Sequence, residues 1–212
     1  MDKIAVVTTF PNNCWNVYAK KMLQSFVQYW PADVDICVEL DDDLLLPDVK
    51  RILRPTDAIA PGWGDEHKAF VERNKDKDHP TDYRKQAVRF SHKVFAIHRA
   101  YAAIQDQRAH NEPYPRYLIW LDADVLTTRN VTMEDIRAVL PKQGDAVAYL
   151  GRKDWDHSEC GWLAFDLENG GGGLIENVFN AYSSNHIFNM EQWHDSWVWD
   201  VCMEADKKTN LT

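Results

Sequence analysis

The chain has 212 residues, of which 45% are hydrophobic, enough for a packed core of one large α/β domain. Its 24 basic and 33 acidic side chains leave a formal net charge of −9, which argues against coating nucleic acid by bulk positive charge while leaving room for a local basic groove. No run approaches the ~18 apolar residues of a membrane span, Met1-Asp2-Lys3 runs straight into a strand-like stretch with no signal peptide, and Cys14, Cys37, Cys160 and Cys202 lack Cys-x-x-Cys spacing, so a reduced, cytoplasmic protein is expected.

Ile4 to Phe10 is a short β-rich run closed by Pro11-Asn12-Asn13. A helix is predicted from about Trp15 to Tyr29, with Tyr18, Met22, Phe26 and Tyr29 on one stripe. Val34 to Leu40 reads as a second strand entering the acidic loop Asp41-Asp42-Asp43. That loop is either a solvated turn or a ligand contact. A β-α-β opening implies a parallel sheet. From 44 to 82 the pattern dissolves among Pro47, Pro55, Pro61, Gly62, Gly64 and Pro80, and an irregular insertion is expected.

The clearest helix runs from Tyr83 to Gln107, where Ala87, Phe90, Val94, Ile97, Tyr101 and Ile104 recur at three and four residues. Arg89 and Lys93 are neighbours on its surface, either as an ordinary solvated flank or as a pair of cations for a ligand diphosphate.

Tyr117 to Leu121 is apolar without a break, as a strand buried on both faces requires. Asp122 and Asp124 follow at its carboxyl end, where open α/β sheets bind ligands. Two carboxylates spaced this way either cap a turn or share one hard divalent cation with open positions for water and phosphate.

Thr132 with Asp135 marks a helix start, and Met133 to Leu140 is a short amphipathic helix. Ala146 to Leu150 is strand-like, Gly151 to Glu159 is polar, and Cys160 to Leu167 is again strand-like, with Gly161 where a side chain would block a close approach. Asn169 to Gly173 reads as a flexible link into a helix from Leu174 to Tyr182. Its glycines lack the Lys-Ser/Thr of a phosphate loop. Glu191 to Asp200 gathers acid, imidazole and indole groups.

The order of these parts resembles the GT-A glycosyltransferase fold, a Rossmann-like α/β domain with a mixed, mostly parallel central sheet flanked by helices. Asp122-Ala123-Asp124 behind Leu118-Ile119-Trp120-Leu121 is similar to the D-x-D motif of that superfamily, and Ser158 to Leu167 is similar to its sugar-lining strand, with Glu159 and Cys160 standing where the motif has asparagine. The likeness spans nearly the whole chain as one domain, residues 1–212. It implies a metal-dependent enzyme that moves a sugar from a UDP- or GDP-sugar to a hydroxyl on a glycan or small molecule. Asp124 would bind Mn²⁺ or Mg²⁺, with Asp122 on the metal or the ribose. Thr8, Thr9 and Phe10 would meet base and ribose. Ala123, Gly161 and Trp162 would line the donor site, and Arg89 and Lys93 would meet the diphosphate. Trp162 and Trp193 are candidates for sugar stacking, and Asp195 and Glu159 for the catalytic carboxylate. Relatives place a metal-binding histidine near the C-terminus. Here His194 takes that part, or the third ligand is missing or is water.

Two other readings fit the same residues. Asp122-Ala123-Asp124-Val125 also suits a haloacid-dehalogenase-like phosphatase with Asp122 as nucleophile. A non-catalytic nucleotide-sugar or glycan-binding module is the other. The basic stretch from Arg84 to Arg99 allows a polyanionic acceptor, modified nucleic acid included.

Overall fold

Ile4–Phe10 forms strand β1, and its near-continuous burial marks it as central. In the computed structural model, residues 2–152, 157–204 and 206–212 are described. After β1 a single wide turn at Trp15–Ala19 leads into helix α1, Lys20–Tyr29, which buries Met22, Leu23 and Phe26. Strand β2 (Val34–Leu40) returns parallel to β1.

The stretch from 44 to 82 is more regular than its prolines suggest. It holds helix α2 (Leu46–Lys50), edge strand β3 (Ala58–Ala60) and helix α3 (Asp65–Asn74). Pro47 falls in the first turn of α2, where a missing N–H costs nothing. Phe70 and His67 of α3 are buried. Helix α4 (Ala87–Ala109) follows, preceded by a tight turn at Tyr83–Lys85.

Strand β4 (Tyr117–Leu121) has four of its five residues buried. Helix α5 (Met133–Ala138) starts on a capping box in which Thr132 and Asp135 bond reciprocally. Strands β5 (Val147–Leu150) and β6 (Glu159–Asp166) flank the polar stretch 151–159, of which residues 153–156 lie outside the described residues. Helix α6 (Gly171–Ser183), helix α7 (Asp195–Cys202) and strand β7 (Lys208–Asn210) complete the chain.

The seven strands form one sheet in the order β3-β2-β1-β4-β6-β5-β7. Pairings are parallel except for those of β6, which runs antiparallel to both β4 and β5. One core packs α3, α4, α6 and α7 on a face of this mixed, mostly parallel sheet, and a second packs α1 and α5 on the other. No described helix is long and apolar enough to cross a membrane.

The glycine run is the first turn of α6 and not a flexible link. A Cβ on Gly171 would lie 2.7 Å from the Asp166 carbonyl oxygen, and one on Gly172 would lie 2.6 Å from the Tyr101 hydroxyl. Close packing against β6 and α4 outweighs the poor helix propensity of glycine here.

Candidate active site

The carboxyl ends of β1, β2 and β4 open into a cleft of about 500 Å³. Thr9 and Phe10 line it from β1, Arg89 and Lys93 from α4, and Asp122, Ala123 and Asp124 from the end of β4. Asp122 extends the β4–β6 ladder by one bond, its N–H donating to the Gly161 carbonyl at 3.0 Å. A turn closed by Val125 N–H on the Asp122 carbonyl, 3.2 Å, then carries Asp124 out to solvent.

Lys93 organises the floor. Its ammonium lies 3.0 Å from Asp122 Oδ1 and 2.7 Å from Asp195 Oδ2, and it donates to the Cys160 carbonyl at 2.9 Å. Two carboxylates and a carbonyl thus surround the ammonium. Burial works against the lysine's charge, but Asp195 and Asp122 outweigh it and hold its pKa above the ordinary range. The ammonium is therefore permanent. Trp120 Nε1 also donates to Asp122 Oδ1, at 2.6 Å. Burial pushes the Asp122 carboxyl up and Lys93 pulls it back. Oδ2 of Asp122 accepts no hydrogen bond among the described residues.

Other expected residues fall into place unevenly. Thr8 is fully buried, and its hydroxyl finds no partner among the described residues. It supports the cleft from beneath and does not line it. Thr9 spends its hydroxyl on the Glu39 carbonyl, 2.9 Å, and Phe10 stacks on Trp15. Arg89 is exposed, donating to Gln86 Oε1 at 3.0 Å. Gly161 leaves room beside Asp122, since a Cβ there would lie 3.2 Å from Glu159 Oε1 and 3.4 Å from Asp122 Oδ2. Glu159 accepts from Gly161 N–H at 3.0 Å and pairs with Arg152. Asp195, nearly buried, opens α7 behind Lys93.

Neither candidate stacking indole faces the cleft. Trp162 turns to the opposite core, its ring centroid 6.3 Å from that of Trp30. Trp193 packs on Phe188 and under Lys85. Along β6, Trp162 and Ala164 face the α1 side while Leu163 and Phe165 face α4, and the register shift opposite Tyr149 and Leu150 lets Cys160 face α4 as well.

His194 is held elsewhere too. Its Nε2 lies 2.9 Å from Gln192 Oε1, and its ring meets Tyr83, Phe90 and His157. Burial, with His157 beside it, lowers its pKa to about 4. Among the described residues no three His, Cys, Asp or Glu side chains gather as a metal-binding group. The set that remains is Asp122 with an oxygen to spare and the exposed Asp124. Two hard carboxylates fit Mg²⁺ or Mn²⁺, ions that complete their shell with waters and substrate phosphate.

Several cations of the basic stretch on α4 and its approach are engaged within the chain. Arg84 pairs with Asp82, Lys85 donates to the Glu191 carbonyl, and Arg99 donates to the Gly62 carbonyl.

Several cleft residues were not legible as such in the sequence. Tyr18 enters from the wide turn; burial first, then the Cys14 side chain, push its phenol pKa up, with Asp124 and Asp122 adding repulsion. It stays an O–H donor. Trp120 and His92 also line the cleft. The helical stripe of Tyr18 with Met22, Phe26 and Tyr29 pointed to the core instead.

No protein-family model matches the chain, and no curated protein matches it in sequence. Solved structures do. Mouse xyloside xylosyltransferase 1, in its apo form, superposes with a TM-score of 0.59 at 10% identity, over 99% of this chain and 84% of that one. The glycosyltransferase GlyE of Streptococcus pneumoniae TIGR4 does so with a TM-score of 0.58 at 12% identity, over 100% of this chain and 45% of its own. This chain thus spans less than half of GlyE. Its architecture is the GT-A-like α/β fold of these glycosyltransferases.

Proposed function

We propose that the protein transfers a sugar from a nucleoside-diphosphate donor, UDP- or GDP-linked, to an acceptor hydroxyl on a glycan or small molecule. One observation carries this reading above the others: Asp122 and Asp124 meet in one cleft with Arg89, at the carboxyl ends of parallel strands in a sheet shared with glycosyltransferases.

Asp124 and the free oxygen of Asp122 would hold Mn²⁺ or Mg²⁺. Such an ion, when bound, neutralises the charge that grows on a departing diphosphate. The chain's own groups do the rest. Lys93 locks Asp122 and Asp195 in place, so neither carboxylate has to reorganise during transfer. Arg89, exposed at the rim, is the cation available to phosphate oxygens. The neutral Tyr18 phenol offers a further hydrogen bond near Asp124. Thr9 and Phe10 carry the nucleoside. Of the two candidate carboxylates Glu159 is the solvent-accessible one and meets the acceptor, while Asp195 contributes fixed negative charge behind Lys93.

A thermal-shift panel of nucleoside diphosphates and nucleotide sugars, with and without Mn²⁺, tests this. A metal-dependent rise of several degrees for one nucleotide is expected. A flat panel with every nucleotide and metal overturns the reading. Neither the phosphatase nor the binding-module reading gains a specific observation.

A further inference from the structure

Among the described residues six large apolar side chains stand exposed, and four of them, Val17, Leu44, Val125 and Leu126, fall on three loops. Those loops leave the carboxyl ends of β1, β2 and β4, neighbouring parallel strands whose ends share one edge of the sheet. The same loops line the cleft through Cys14, Tyr18, Asp41 and Asp124. Apolar side chains scattered singly over a surface need no explanation, but a grouping around one opening does.

The loops are fastened to their neighbours, so the tips keep their places. Asn12 N–H donates to Asp41 Oδ2 at 3.1 Å and its side-chain amide to Asp42 Oδ1 at 3.0 Å, which joins the β1 loop to the β2 loop. Thr127 N–H donates to Ser25 Oγ at 3.1 Å, and the Trp30 indole donates to the Thr127 hydroxyl at 3.0 Å, which lays the β4 loop along α1. Leu44, Val17 and Leu126 are 72%, 67% and 56% exposed. Just after Val17 come Lys20 and Lys21, both exposed at the start of α1 and in no ion pair among the described residues. Lys21 lies four residues before Ser25, on the helix face that the β4 loop follows. Past Leu126, Arg129 is exposed too, with Asp135 3.7 Å away. Asp42 and Asp43 flank Leu44, so any attraction for anions comes from the α1 side.

Separate aliphatic tips with cations beside them suit one kind of partner. A stable protein interface takes about 800 Å² per side, packed around aromatic or arginine anchors, and tips on three loops offer no such centre. Fluid lipid closes around each tip without matching its shape, while anionic headgroups attract the lysines. A chain of net charge −9 is repelled by such a surface elsewhere, so this face leads the approach.

We infer that the mouth of the cleft docks on a lipid bilayer containing anionic lipid, with Val17, Leu44 and Leu126 entering the headgroup region and Lys20 and Lys21 meeting lipid phosphates. On the glycosyltransferase reading, amphiphilic acceptors held in that bilayer present their polar heads to the cleft. The docking itself does not depend on that reading.

The full chain is sedimented with vesicles of phosphatidylcholine alone and of equimolar phosphatidylcholine and phosphatidylglycerol, without nucleotide or metal. Wild type binds the mixed vesicles, and several-fold less well phosphatidylcholine alone or any vesicle in high salt. Leu126→Asp and Val17→Asp each weaken binding about tenfold, because a charge replaces apolar surface buried in lipid. Lys20→Glu combined with Lys21→Glu removes the preference for the mixed vesicles. Val201→Asp, at the exposed aliphatic of α7 away from these loops, binds as wild type does. Wild type left in the supernatant with both vesicles overturns the inference, as does equal binding by Leu126→Asp and Val201→Asp. A dimer in solution that Leu126→Asp dissolves, with no vesicle binding, makes this face an interface between copies and overturns it equally.

Discussion

Two knots of acid and base lie at opposite ends of the sheet and are built from nearly the same parts. At the far end Arg116 grips Asp166 through two bonds, 2.7 Å and 3.2 Å, while Asn169 and the Glu168 N–H add two more, 2.7 Å and 3.0 Å. Four donors fill the capacity of that carboxylate. Burial works against its charge, yet Arg116 and Asn169 prevail and hold its pKa below the usual range. At the cleft end the base, Lys93, is surrounded by two carboxylates and a carbonyl, and Asp122 keeps an oxygen open. A filled acid is a fastening. A held acid with an oxygen open still has room for a ligand atom.

The sharpest way to break this contrast is Lys93→Met. It leaves Asp195 buried without its counter-ion, and the expected loss is about 3–5 kcal/mol of stability together with sugar transfer, read by denaturant melts and nucleoside-diphosphate release. Asp124→Asn, exposed and unpaired, separates the two quantities. Its melt stays within a degree or so of wild type while transfer falls by a factor of about 10²–10³. Wild-type turnover in this variant removes the metal from the account.

Asp166→Asn gives the converse result, a loss of about 1–3 kcal/mol in the melt with turnover per folded molecule unchanged. Glu39 offers a pH test between the two ends. Burial raises its pKa to about 7, with Arg99 opposing from 3.7 Å. A raised acid contributes stability that is present below its unfolded value near 4.5 and lost as pH climbs through 7. Relative to Glu39→Gln, wild type should lose on the order of 1–3 kcal/mol between pH 4.5 and 7.5, measured by melts at each pH. The smallest effect belongs to Trp162→Phe. Stability shifts by about 1 kcal/mol and kcat does not move, because the indole faces Trp30. A fall in kcat would return this side chain to the sugar site.

Long, periodic elements were readable and short ones were not. The stripe from Ala87 to Ile104 predicts α4, and the unbroken run before Asp122 predicts β4 at the right place. β3 and β7, with three residues each, carry no period and exist through their pairing with β2 and β5. Prolines between 44 and 82 pointed to irregularity, although Pro47 starts a helix. At the site, the Asp pair, Thr9 and Phe10 were legible from strand ends, because topology alone sets them at one edge. The partnership of Lys93 with Asp195 was not, since it depends on α4 and α7 packing together. His194 was misplaced for a related reason. A residue next to Asp195 in sequence points its ring among Tyr83 and Phe90 once the helix turns.

The bare backbone of Gly171 and Gly172 has a reach beyond local packing. It acts as a mechanical stop that sets how near α6 settles on the sheet, with the Tyr101 hydroxyl filling the place of a methyl. From α6 the Tyr182 hydroxyl donates to the Trp193 carbonyl at 3.0 Å, just ahead of the helix that begins with Asp195. A methyl added at position 172 would meet Tyr101 of α4, about two turns along that helix from the lysine beneath the cleft.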